Sequence, residues 1–105
     1  MRMIEPSHVL VLDEVIDDLN EGKAFYAYRR SWLGEYFWDS ILSDIESLYL
    51  YAGTHQVKFG FYRLISKRFP YAIYYDISDK VVSVIAVLPM RRDPAWIKKT
   101  VSGRT

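Results

Sequence analysis

The sequence predicts an α+β fold of two layers, a helical hairpin lying on an antiparallel β-meander. Three observations predict it. In the first half the apolar period is helical: Phe37, Ile41, Ile45, Leu48 and Ala52 follow one another at spacings of four, four, three and four, one face of a helix. After Gly53 the period becomes strand-like. Three runs rich in β-branched and aromatic residues then follow, divided by the breakers Phe69-Pro70 and Ser78-Asp79-Lys80. The expected order is β-α-α-β-β-β with a short C-terminal helix, in one domain spanning residues 1–105.

His8–Leu12, "HVLVL", reads as the first strand. Asp13 stands as the N-cap of the next helix, and Glu14, Asp17 and Asp18 suit the positive end of its dipole and its solvated face. Leu12, Ile16, Leu19 and Tyr26 give it an apolar stripe as far as about Arg30, with Gly22 weakening its middle. Ser31 caps a second helix that runs to Ala52 and is closed by Gly53. The tight connection Arg29-Arg30-Ser31 makes the two an antiparallel hairpin.

Val57–Phe69, "VKFGFYRLISKRF", is the second strand candidate. Alternation puts Phe59, Phe61, Arg63, Ile65 and Lys67 on one side and Lys58, Gly60, Tyr62, Leu64 and Arg68 on the other. Neither side is uniformly apolar, so a bulge or a broken register is expected. Pro70 belongs at a strand start or turn. "YAIYYDI" is the next strand, Ser78–Lys80 a hairpin turn, and "VVSVIAVL" the last strand. Being apolar at both alternations, that last strand is expected to be central and covered on both faces. Asp93 caps a short helix with Pro94 in its first position, running through Trp96 and Lys99. The tail 101–105, "VSGRT", is expected to fray.

Composition narrows the chemistry. The chain has no cysteine, which excludes disulfides and thiolate metal sites. His8 and His55 are its two histidines and stand far apart, so no metal site and no cofactor are expected. No apolar run approaches the ~20 residues of a membrane span, and a cytoplasmic location is the default. There is no glycine-rich phosphate loop, Gly-x-Ser-x-Gly or His-Glu-x-x-His.

The net charge of +1 conceals an opposition. Residues 1–57 carry four Lys or Arg against ten carboxylates, a balance of −6. Residues 58–105 carry ten Lys or Arg against three, a balance of +7. Within the basic half, the apolar last strand ends at Pro89, and Arg91 and Arg92 follow side by side. Guanidinium forks match carboxylate and phosphate alike. With Lys67 and Arg68 they form the candidate binding set, against the plainer reading of a solvated loop. Arg63 inside a strand needs a groove or a partner; Asp44 or Glu46 of the second helix would supply an ordinary ion pair. Tyr71, Tyr74 and Tyr75 are read as cross-strand packing before base-stacking platforms.

Tyr62–Pro94 resembles the RelE/ParE toxin superfamily, the plasmid-stabilisation proteins. The residues that carry the likeness are Arg63-Leu64, Lys67-Arg68, Phe69-Pro70-Tyr71, Ile73-Tyr74-Tyr75 and Arg91-Arg92-Asp93-Pro94, with "WLGEYFWDSI" at the second helix. The resemblance implies a RelE/ParE-like fold and the toxin of a bacterial type II toxin–antitoxin pair. Some relatives cut mRNA on the ribosome and others inhibit DNA gyrase. The implied partner is a cognate antitoxin, in a toxin–antitoxin hetero-oligomer or beside a homodimer.

One departure bears on the choice. Where this branch usually has histidine at the strand end, the chain has Pro89, which transfers no proton. A ParE-like binder, using Arg63, Lys67, Arg68, Arg91, Arg92 and Trp96 for target or antitoxin, is therefore the favoured expectation. The alternatives are a RelE-like ribosome-dependent endoribonuclease, with Lys58, Arg63 and Arg91 stabilising charge in the transition state, and a member that only binds an antitoxin.

Overall fold

The computed structural model describes residues 6–104. Its element order is β1 (His8–Val11), α1 (Asp13–Arg29), α2 (Ser31–Glu46), α3 (Leu48–Tyr51), β2 (Gln56–Lys58), β3 (Phe61–Ile65), β4 (Tyr71–Ser78), β5 (Val81–Pro89) and α4 (Pro94–Ser102). The strands form one five-stranded sheet in the order β1-β5-β4-β3-β2. β1 runs parallel to β5, and every other pairing is antiparallel. The architecture is thus mixed α+β.

The helical hairpin forms where the period placed it, with differences of detail. Leu12, not Asp13, is the N-cap of α1, and Arg30, not Ser31, that of α2; neither end has a side-chain cap. The stripe that α1 buries is Val15, Asp18, Leu19 and Gly22, while Ile16 faces solvent. Gly22 is a close approach, not a weak point. A Cβ there would stand 2.4 Å from Cζ of the fully buried Phe37. Gly34 plays the same part from α2, where a Cβ would meet the Lys23 carbonyl oxygen at 2.8 Å. The second helix is interrupted at Ser47, whose hydroxyl donates to Asp44 O at 2.6 Å and competes with the backbone ladder. Gly53 follows with φ 88°, the left-handed closing residue its position suggested.

The long second strand candidate is two strands. Phe59 and Gly60 take φ 57° and 85°, as a two-residue hairpin turn requires. β2 therefore folds back on β3, with Lys58 opposite Phe61. The predicted turn at Ser78–Lys80 is of the same kind, with Asp79 and Lys80 at φ 50° and 66°.

β5 is central and covered on both sides, as expected of so apolar a run. A register shift near Tyr74/Tyr75 leaves Ile85 without a cross-strand partner. This bulge lets Val82, Val84 and Val87 join the core with α1 and α2. Ile85, Ala86 and Leu88 join a second core with Ile97 and Val101 of α4. The chain is thus more than two layers at this end. The expectation of a frayed tail is corrected by the same contact: Val101 is fully buried and α4 runs to Ser102. Thr105 lies outside the described residues.

Candidate functional site

β5 outruns its parallel neighbour. β1 pairs with Val81–Val84, and Leu12 N–H donates to Val84 O at 3.1 Å where the pairing stops. Beyond that point the outward backbone groups need other partners. Asp18 and Arg104 provide them. Val87 N–H donates to Asp18 Oδ2 at 2.9 Å, and Arg104 Nη1 donates to Ile85 O at 3.1 Å. The guanidinium also grips both carboxylate oxygens, Nη1 to Oδ2 at 2.6 Å and Nη2 to Oδ1 at 2.9 Å. This bidentate pair replaces the missing strand. The hydrogen bond to Asp18 holds the Arg104 guanidinium above its ordinary pKa. Asp18 is buried, which corrects its expected place at the helix start and on the solvated face of α1. The last strand residue, Pro89, brings no donor to the edge, and Met90 N–H turns back to Pro70 O at 2.9 Å.

Arg91 and Arg92 leave the strand end onto aromatic rings. Arg91 lies 4.7 Å from the Phe25 centroid and Arg92 lies 3.7 Å from that of Trp96. Arg29 approaches the same Phe25 at 4.2 Å. Each such contact contributes about 0.5–1 kcal/mol at an exposed site and orients a guanidinium without neutralising it. Among the described residues the ion pairs are Lys23–Glu35 and Arg104–Asp18, so these three arginines have no carboxylate partner. Arg91, Arg92, Phe25 and Trp96 border a cleft of about 250 Å³ between α1, the end of β5 and α4, and Arg29 lies beside it on an adjoining groove with Ala24 and Tyr28. The floor of the cleft is Val87–Pro89 with the Asp18–Arg104 pair, and Glu21 stands at its rim. The Tyr71 hydroxyl lines it as a neutral phenol, its pKa pushed up to about 12 by burial and then by Tyr26.

Two further groups of cations lie elsewhere. Arg63 is opposite Tyr74 in the β3–β4 ladder, on the side of the sheet that α4 covers. The expected alternative of an ion pair with Asp44 or Glu46 is not formed, because α2 covers the other side. Arg63 Nε is buried with no hydrogen-bond partner. It opens on a pocket of about 180 Å³ with Lys58, Phe59, Tyr74, Met90 and Pro94. Burial raises the Tyr74 phenol, and its hydrogen bond with Arg63 offsets part of that rise. Lys67 and Arg68 border a third cleft with Asp44, Tyr51 and His55. There Tyr75 Oη accepts from Gly53 N–H at 3.0 Å and contacts His55 Nδ1 at 2.5 Å, and burial lowers the His55 pKa.

The structure therefore brings Arg91, Arg92 and Trp96 together, sets Arg63 with Lys58, and sets Lys67 with Arg68. It does not bring Lys58, Arg63 and Arg91 into one pocket. Tyr71, Tyr74 and Tyr75 are buried packing residues. Phe25, Arg29, Asp18 and Arg104 belong to the strand-end site and were not singled out for it from sequence. For Phe25 and Arg29 the available signal was their i, i+4 spacing on one helix face. Among the described residues there is no group of three His, Cys, Asp or Glu that could hold a metal ion, and no helix long and apolar enough to cross a membrane. Comparison with protein-family models, curated proteins and solved structures gave no match.

Proposed function

We propose that this chain is a ParE-like toxin of a type II toxin–antitoxin module, with a RelE/ParE-like fold, that inhibits its target by binding. The observation that carries the reading is the end of β5. Three guanidiniums are held on aromatic rings there without carboxylate partners. Among the described residues that line the cleft there is no histidine; Pro89 occupies the strand end and Tyr71 is a high-pKa phenol. Charge without a proton relay suits recognition better than acid–base chemistry. The sheet order, with β1 parallel to a central final strand, supports the fold assignment.

The test is expression of the chain in bacteria, followed by two assays on the purified protein. The reading expects arrested growth, inhibited supercoiling by DNA gyrase and intact mRNA in a translating extract. Codon-specific mRNA cleavage would overturn it in favour of the RelE-like reading. One observation favours that second reading: the unpartnered Arg63 Nε and Lys58 share a pocket in which a phosphate would fit. Against it stands Arg91, the third cation the chemistry would need, which is engaged with Phe25 on another cleft.

A further inference from the structure

Charges of both signs line one cleft without pairing. The cleft measures about 520 Å³ and has the end of α2 and α3 on one wall and the end of β3 on the other. Asp44, half-buried near the end of α2, belongs to the helical wall. Lys67 and Arg68, both exposed, belong to the strand wall. Among the described residues none of the three is in an ion pair.

Each wall asks for a different partner. The last turn of α2 holds no basic residue, so its own side chains do not offset the negative end of the dipole, and a cation is favoured beside Asp44. Ser47 Oγ donates to the Asp44 carbonyl oxygen at 2.6 Å and leaves the carboxylate without that donor. The cations of the strand wall favour an anion, and His55 adds a neutral donor. Tyr75 is fully buried, and its Oη accepts from Gly53 N–H at 3.0 Å. A buried hydroxyl needs an acceptor, and His55 Nδ1 supplies it at 2.5 Å. The imidazole therefore carries its own proton on Nε2, in a fixed tautomer, and lines the cleft. Tyr51 and Ile65, both exposed, give the same cleft an apolar surface.

This combination disfavours a ligand of one sign. A phosphate would meet Asp44, and a polyamine would meet Lys67 and Arg68. A ligand with an ammonium at one end and a carboxylate at the other satisfies both walls. We infer that this cleft binds a zwitterion with an apolar side chain, an α-amino acid or a short peptide: its ammonium on Asp44, its carboxylate on Lys67 and Arg68, its side chain against Tyr51 and Ile65. The volume falls in the range of roughly 300–1,000 Å³ usual for small-molecule sites. No residue of this cleft lines the one at the strand end, so the inference goes beyond the toxin reading and does not rest on it.

The test is calorimetry on the purified full chain with two probes, leucine and the dipeptide Leu-Leu. Each is used free, N-acetylated and C-amidated, which removes one charge at a time without altering the protein. The free form is expected to bind at least about 10-fold more tightly than either blocked form. D44N should weaken the free and amidated forms by at least about 10-fold and leave the acetylated form unchanged. K67Q/R68Q should weaken the free and acetylated forms and leave the amidated form unchanged. Circular dichroism checks that the variants are folded. Binding of either free probe in this pattern supports the site, and the tighter of the two tells an amino-acid site from a peptide site. Equal affinity of free and blocked forms would overturn the inference. So would affinity unchanged in both variants, or no heat from either free probe up to about 10 mM.

Discussion

Replacing Arg104 by methionine tests the device that closes the open edge of β5. The two side chains of the pair are 17% and 7% exposed. Removing the guanidinium leaves the Asp18 carboxylate buried with Val87 N–H as its remaining partner. Breaking one side of a buried pair costs about 3–5 kcal/mol, because the surviving charge is uncompensated. The bond to Ile85 O goes too, about 1 kcal/mol within the same total. Asp18→Asn should be milder, about 1–2 kcal/mol. Its carbonyl oxygen still accepts from Val87, and Arg104 keeps Ile85 O as an acceptor. The double variant should then cost less than the sum by about 1–3 kcal/mol, the coupling expected of contacting residues. Urea unfolding of the four proteins gives the cycle, and repeating it at 1 M salt should change the coupling little, since buried pairs are weakly screened. A loss below about 1 kcal/mol in R104M, or additive singles, would mean that the tail is not anchored and that Asp18 is solvated.

Other outcomes follow from particular contacts. Gly34→Ala should destabilise by about 1–3 kcal/mol in thermal unfolding although alanine is the better helix former, because its Cβ meets the Lys23 backbone carbonyl, which cannot yield; Gly22→Ala should behave alike against Phe37, ringed by Tyr26, Phe69 and Tyr71. Burial holds the His55 pKa below the ordinary value of about 6.5, so the unfolded chain binds the proton more readily. The stability this contributes is complete above about pH 6.5 and is lost as pH falls toward the folded pKa, a slope that His55→Gln should remove from urea midpoints measured across that range. Arg63→Met should change stability by less than about 1 kcal/mol, since it removes a buried Nε donor that has no partner together with the hydrogen bond to Tyr74; a large loss would show that Arg63 is structural.

Elements whose cause is local were legible in the sequence. The helical face from Phe37 to Ala52, the closing Gly53, the turn before Val81 and the Asp93-Pro94 helix start all express preferences of a few adjacent residues. Where two local patterns compete, the reading failed. Leu12, Ile16 and Leu19 make a stripe as good as Val15, Leu19 and Gly22, and only the partner surface decides between them. Gly22 read as a helix weakness because Phe37, which needs the space, lies on another helix. The Phe59-Gly60 turn was hidden because an aromatic residue at positive φ is uncommon, and its neighbours have strand-forming character. The candidate site was legible in part: Arg91, Arg92 and Trp96 were named together, but their platform needs Phe25, remote in sequence. Asp18 and Arg104 lie 86 residues apart, and nothing near either announces the other.

How each cation is compensated sorts its role. Arg104, mostly buried, has a full bidentate partner and one backbone acceptor, Ile85 O, which is what a structural charge requires. Arg29, Arg91 and Arg92 are exposed, so water compensates them, and they can exchange that water for a partner's carboxylates at little desolvation cost. Arg63 lies between these cases. It has given up water at Nε and received no acceptor in return, an imbalance of about 1–3 kcal/mol that the fold alone does not repay. The Tyr74 hydrogen bond satisfies another part of the same guanidinium, so the shortfall is confined to Nε. If an anion supplies that acceptor, inorganic phosphate should bind the chain in calorimetry, and R63M is expected to abolish that binding while R91Q/R92Q, on another cleft, leaves it unchanged.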